Sequence, residues 1–313
     1  MSLRRFRQIA IVTVAGVCLL TVAGAIVRLT GSGLGCDDWP NCNSERFIDV
    51  STGHAAIEQV NRLLSGVIGI PTLLLAIGAF RVRPPRGGLK GPSLGVLVTI
   101  LGNGVVGGIA VRGDLHPALV QSHFLLAMLS IAFGLVAVHR SRPEPLRRRE
   151  DIGVTPLVTG LFVALTALVA TALVTGTVVT GAGPHAGDET ARRYSFDIST
   201  VAELHSVTVW IAVAIFLLLV VVLRRMPDLA ARVNGKLSTW MFIAVLQGGI
   251  GYVQYFSNVP AVLVGAHVAG ATALWVATVR LVLAGLEPVG FTKTEEYPEA
   301  TDRRISDRVP QSL

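Results

Sequence analysis

The sequence predicts an all-α polytopic membrane protein, with eight transmembrane helices arranged as two pseudo-symmetric four-helix bundles. Three observations predict it. The chain of 313 residues is 51% hydrophobic and only 15% charged, with mean hydropathy +0.61, whereas soluble domains carry about 25% charged residues. Eight apolar runs, at 9–29, 57–80, 92–111, 118–138, 155–181, 199–223, 238–256 and 261–285, approach the roughly 20 residues that cross a bilayer as a helix. The second half of the chain also repeats the first.

Run 9–29 follows a basic start, Arg4, Arg5 and Arg7, and contains Ala23-Gly24-Ala25, which mimics a cleavage site. It is longer than a signal-peptide core of about 7–15 residues, so it is read as a retained first helix. Run 57–80 opens on Glu58, Asn61 and Arg62. Run 118–138 carries His123, run 199–223 carries His205, and run 261–285 carries His267. Most runs contain Gly, Ser and Thr, small residues that let helices approach closely in lipid. The expected division is an N-terminal half at 1–139, a cytoplasmic linker at 140–154, a C-terminal half at 155–285 and a polar cytoplasmic tail at 286–313.

Orientation follows from the cationic residues of the short loops. Arg4, Arg5, Arg7, Arg81, Arg83, Arg86, Lys90, Arg140, Arg142, Arg147, Arg148, Arg149, Arg224, Arg225, Arg232 and Lys236 put sixteen on one side. The alternate loops hold four: Arg46, Arg112, Arg192 and Arg193. Both termini are therefore expected in the cytoplasm, in the cell membrane. The net charge of +7 lies in loops facing anionic lipid and calls for no nucleic acid.

The first external loop reads TGSGLGCDDWPNC, with Cys36 and Cys42 six positions apart. On the external side disulfides persist, so a pairing is expected, with two free thiols as the other reading. Two thiolates lack the further ligands of a structural zinc site. The spacing does not say whether a disulfide here is structural or redox-active. Cys18, mid-run, reads as a small buried apolar residue.

The repeat aligns VAGAIVRLTGSG (22–33) with VTGTVVTGAG (174–183), and LGNGVVGG (101–108) with LQGGIG (246–251). ALVQSHFLLA (118–127) aligns with VLVGAHVAGA (262–271), which sets His123 opposite His267. IEQVNRLL (57–64) aligns with VAELHSVT (201–208), which sets Asn61 opposite His205 and Glu58 opposite Ala202. Four crossings restore the starting side, so the halves run in parallel.

His205 and His267 fall at similar depth on two helices of one half. Two imidazoles from facing helices can hold a haem iron from both sides. A lone His bonded within the bundle is the plainer alternative, which the matched pair outweighs. His123 takes the equivalent place in the first half, but its partner position is Asn61, a poor haem ligand. That site holds its haem by one axial nitrogen or recruits another group, with His54 and His116 the nearest candidates; each reads otherwise as a solvated loop histidine. His139 lies at the cytoplasmic end, and His185 in the second external loop. Glu58 is set among Ala55, Ala56, Ile57 and Val60, where a carboxylate is costly and usually functional. It reads as a catalytic acid or base, or as the partner of Arg62 one turn on. Arg28 and Arg62 suit haem propionates or snorkelling to the interface. RGD at 112–114 reads as a turn.

These motifs resemble the haem A synthase family over about residues 8–285. LTGSGLGCDDWPNC resembles that family's first external loop. IEQVNRLLSG is similar to its helix-two motif, in which Glu is normally followed three residues later by His and then Arg. The resemblance implies oxidation of a ring methyl of haem O to a formyl group, giving haem A for cytochrome oxidase. It implies that His205 and His267 ligate the iron of a resident haem b. It places the substrate haem in the first half with His123, Asn61 and Arg62, and Glu58 at the reacting methyl. Cys36 and Cys42 would form the family's disulfide. Implied partners are haem O, the enzyme that makes it, an unidentified electron acceptor and membrane lipid; a homo-oligomer is compatible. Asn61 departs from the family's histidine. Two other readings stay open: a di-haem b-type cytochrome that passes electrons without modifying haem, and a haem transporter.

Overall fold

The computed structural model describes residues 1–143 and 154–287. Most of the expected linker, with Arg147, Arg148 and Arg149, and the tail from 288 onward lie outside the described residues. The described residues form eight helices: α1 Leu3–Leu29, α2 Gly53–Arg81, α3 Lys90–Arg112, α4 Pro117–Arg140, α5 Pro156–Ala182, α6 Ile198–Leu223, α7 Pro227–Phe256 and α8 Ala261–Leu286. Seven are long and apolar enough to cross a membrane, so the protein is a multi-pass helical membrane protein. The other is α7, whose hydropathy is diluted by Asp228, Arg232, Lys236 and two glutamines.

Local chemistry sets the helix starts. Thr52 accepts from the Ala55 amide, Thr155 from Val158 and Asp197 from Thr200, each satisfying an orphan N–H of a first turn. Pro117, Pro156 and Pro227 occupy first turns, where a missing amide costs nothing. Helix α2 continues through Pro71. Helix α7 begins at Pro227 rather than near 238, because Leu229, Val233, Leu237 and Trp240 recur on one face and are buried. Arg232 and Lys236, expected in a loop, are therefore helical.

In the first half α1 packs on α2 and α4, α2 on α3, and α3 on α4. In the second, α5 packs on α6 and α8, α6 on α7, and α7 on α8. Every pairing in one half has its counterpart in the other. The halves meet through α1, α4, α5 and α8, where Val17, Met128, Ile131 and Leu135 join the core of the second half. The Trp275 indole donates to the Met128 carbonyl across this seam at 2.8 Å. Large apolar side chains such as Val98, Leu101 and Phe242 point outward, as hydrocarbon solvent permits. Hydroxyls of Thr13, Thr72 and Thr99 donate to carbonyls one turn back, which keeps them satisfied without water.

Trp240 stacks on Phe216 at 4.1 Å between centroids and donates to Thr278 Oγ1. Trp240→Ala is expected to destabilise the fold by about 3–5 kcal/mol through the cavity it leaves. Phe242→Ala, two residues on and 70% exposed, should leave thermal unfolding in detergent unchanged.

Candidate functional site

The long loops 30–52 and 183–197 lie at one end of the helices, and the residues singled out from the sequence gather there. Cys36 and Cys42 are disulfide-bonded, with Cα atoms 4.5 Å apart, and both are buried against Ala55. Beneath them stands Glu58, only 4% exposed. Its Oε2 accepts from the Cys36 amide at 2.8 Å. Its Oε1 accepts from Arg62 Nη2 at 2.6 Å and Nε at 3.0 Å. Arg62 Nη1 then donates to the carbonyls of Asp38 and Asn41 at 2.9 and 3.0 Å. The expected i,i+4 pairing of Glu58 with Arg62 therefore exists, and it extends into a clamp that ties the disulfide loop to α2. Helix and loop approach so closely at Gly35 that any side chain there would collide with the His54 carbonyl.

A second tether comes from α3. Arg112 donates to Asp38 Oδ1 at 3.1 Å and to the Trp39 carbonyl, and the Trp39 ring covers Gly108. The Trp39 amide, then Arg112, hold the Asp38 carboxyl below its ordinary pKa. The RGD segment is thus a turn whose arginine holds the disulfide loop.

Three histidines lie about two turns inside their helices, roughly 10 Å from the helix start, and share one pose. A methyl group on Gly107 of α3 would stand 3.0 Å from Cε1 and 3.3 Å from Nδ1 of His123. The same construction on Gly176 of α5 gives 3.1 and 3.4 Å to His205, and on Gly251 of α7 gives 3.0 and 3.6 Å to His267. His123 Nδ1 lies 3.1 Å from the Asn103 carbonyl. A carbonyl only accepts, so Nδ1 carries the hydrogen and Nε2 keeps its lone pair. His205 Nδ1 lies 3.1 Å from Thr175 Oγ1, whose own hydrogen goes to carbonyls of its helix, so His205 has the same tautomer. His267 Nδ1 is buried and unpartnered among the described residues, and the side chain of Gln247, the counterpart of Asn103, donates instead to the His267 backbone carbonyl at 2.9 Å.

The His205 and His267 rings stand 6.4 Å apart between centroids, at 74°. A first-row metal–imidazole bond is about 2.0–2.1 Å, and the ring centre lies about 1 Å behind the nitrogen, so trans imidazoles on one metal stand about 6 Å apart. Among the described residues no three metal-ligating side chains gather. Two imidazoles at this separation suit an iron that brings its own equatorial donors, as haem does. The residues present fit that group.

Other expectations resolve differently. His54 Nδ1 is held by Ser32 Oγ at 2.9 Å, and His116 caps α4, accepting from the Ala118 amide; neither swings inward. His185 donates to the Val259 carbonyl, and His139 is buried at the opposite end. Arg28 donates to the Thr180 carbonyl at the end of α5, which joins the halves. Asn61 Oδ1 is buried without a partner among the described residues. The sequence reading missed the three glycines; their signal was the shared spacing of Gly107 to His123 and Gly251 to His267.

The fold and this site define a multi-pass helical membrane protein of two repeated halves, with imidazoles gathered near one end. The chain belongs to the cytochrome oxidase assembly protein family, which it matches over residues 7–51 and 47–279. The resemblance read from the loop and helix-two motifs is borne out at that level. Over 130 residues, 41% of this chain, it is 30% identical to a heme A synthase of Alkalihalophilus pseudofirmus, covering 44% of that relative. It is 32% identical over 130 residues to a heme A synthase of Geobacillus kaustophilus, covering 41% of each. It is 30% identical over 130 residues to one of Bacillus cereus, covering 42% of it. The chain thus spans about two-fifths of the length of these curated relatives.

Two outcomes are expected for the loop clamp. Arg62→Met strands the Glu58 charge and should cost about 3–5 kcal/mol, the penalty of breaking a buried pair. The disulfide should then be reduced faster in a thiol-labelling assay, and adding Glu58→Gln should recover most of the loss. Asp38 has a depressed pKa, so its tether is present above the unfolded value of about 3.9 and is lost as pH falls through the lower folded value. Hydrogen exchange across 36–46, corrected for intrinsic rates, should rise only in that acid range, whereas Asp38→Asn should raise it at neutral pH.

Proposed function

We propose that the protein is a haem A synthase, converting haem O to haem A by oxidising a ring methyl to a formyl group. The observation that carries this reading is the asymmetry between halves. One half has a bis-imidazole pair at haem-spanning separation. The other has one such imidazole, His123, together with a buried carboxylate, Glu58, that its repeat lacks. The C-terminal half would be the resident-haem half, and His205 and His267 are the residues that would hold that haem. The N-terminal half is the substrate half, with haem O on His123 and Asn61, Arg62 and Glu58 beside it. Both termini face the cytoplasm, so the clamp and the disulfide lie at the outer surface of the cell membrane. The enzyme that makes haem O and an electron acceptor are the implied partners.

A resident haem b would supply one-electron transfer. The protein residues do the rest. Thr175 and the Asn103 carbonyl fix the tautomers of His205 and His123, so that each Nε2 lone pair is available. Glycines behind the rings set their depth. Glu58 is the proton acceptor. Both its oxygens already hold partners, so taking a proton weakens the Arg62 clamp and links the reaction to the disulfide loop. That same engagement favours a second reading of Glu58 alone, as a loop anchor without a chemical part.

Co-expression with a haem O source and analysis of extracted pigments tests both. Haem A should accumulate with the wild type, and Glu58→Gln should lower the yield by 10²-fold or more, the scale of a lost acid–base group, with the haem spectrum retained. His205→Ala and His267→Ala should each remove the resident pigment. Unmodified haem O in the wild type would return the protein to a di-haem cytochrome, and full yield in Glu58→Gln would leave that residue an anchor.

A further inference from the structure

The repeat places four residues in corresponding positions, and three of them are histidines. The fourth is Asn61. Each histidine rests on a glycine of the neighbouring helix, and in α5 that glycine is Gly176, beneath His205. Its counterpart in α1 is Gly24, because VAGA at 22–25 aligns with VTGT at 174–177. A methyl group built on Gly24 meets nothing within 4 Å. The space that an imidazole fills in the second half therefore stands open in the first. Asn61 is too short to occupy it, and its carboxamide oxygen is buried with no partner among the described residues.

Shape and polarity agree at this point. A carboxamide is a weak ligand for haem iron, but it offers one acceptor and two N–H donors to a small molecule beside it. An unpaired buried oxygen is costly, and a bound polar partner relieves that cost.

We propose that the Gly24–Asn61 recess is a binding site for a small neutral ligand of haem iron, imidazole-sized or smaller. In the first half His123 is then the single protein ligand, and the opposite axial face is open to exogenous molecules steadied by the Asn61 carboxamide. This rests on the haem reading above. It makes the two halves differ in kind: the second is capped by protein on both faces, whereas the first admits a ligand on one.

The full chain, purified in detergent and saturated with haemin, tests it by ferric electron paramagnetic resonance and by carbon monoxide binding after reduction. Two species are expected: a low-spin one that ignores carbon monoxide, and a high-spin one that binds it and turns low-spin with added free imidazole. Asn61→His should supply the missing ring, abolish the high-spin signal and abolish carbon monoxide binding. Gly24→Leu, which fills the recess and leaves both ligand positions untouched, should weaken carbon monoxide and imidazole binding at least about tenfold. Haem that is wholly low-spin in the wild type, or carbon monoxide binding unchanged in both variants, overturns the inference alone. Failure to hold any haem overturns the reading beneath it as well.

Discussion

The site depends on how closely paired helices approach, and glycine sets that distance. At Gly107, Gly176 and Gly251 the neighbouring helix presents backbone alone, so the Cε1–Nδ1 edge of an imidazole comes against it instead of being pushed outward. In lipid no hydrophobic force drives helices together; van der Waals contact and internal hydrogen bonds must. At Gly107 and Gly176 the glycine that admits a ring serves both ends, because it brings the ring into contact and brings Nδ1 to an acceptor on the same neighbour. For His123 that acceptor is the Asn103 carbonyl, one helical turn before Gly107. For His205 it is Thr175, adjacent to Gly176. Ring position and tautomer are thus set by one local contact.

The halves share this device and differ around it. The second half has Ala202 and His205 where the first has Glu58 and Asn61. The change is concentrated on one face of α2, since positions three apart share a face, and the disulfide loop lies directly above. A buried carboxylate is tolerated there because the loop supplies the Cys36 amide and Arg62 supplies a neutralising charge. Arg62 in turn is held by loop carbonyls. Loop and carboxylate therefore require each other: without the loop the ion pair loses its hydrogen bonds, and without the ion pair the loop loses its anchor. The loop at 183–197 closes by other means, with Arg193 donating to the Pro184 carbonyl and Asp188 accepting from the Thr190 amide and hydroxyl.

Most of the fold was legible in the sequence, because apolar length and repeat alignment are properties of the chain alone. Helix α7 was legible only in part: its first turns are amphipathic, and their burial depends on α8 and the core, which no window of α7 contains. The histidine pair was legible from depth and repetition. The Glu58–Arg62 pair was foreseen from spacing, but its extension to Cys36, Asp38 and Asn41 depends on how a loop folds back, which spacing does not encode. The assignment of His54 to Ser32 and of His116 to a helix cap was hidden for the same reason. The glycines beneath the rings were visible as letters; only the packing of pairs of helices revealed what they face.

The seam between the halves bears on which functions the architecture can serve. Alternating access needs one bundle to rock against the other across an interface with few specific bonds. Here the Trp275 indole is bonded to the Met128 carbonyl in the buried core, and Arg28 is bonded to Thr180. Tyr194 donates to Gln121 across the same seam, and the Gly33 amide donates to the Gly187 carbonyl between the two long loops. Rocking would break hydrogen bonds at several depths at once, in surroundings where water cannot replace them. These contacts hold the two halves in one fixed relation, which is what the proposed exchange of electrons between two repeated sites would need and alternating access would not allow.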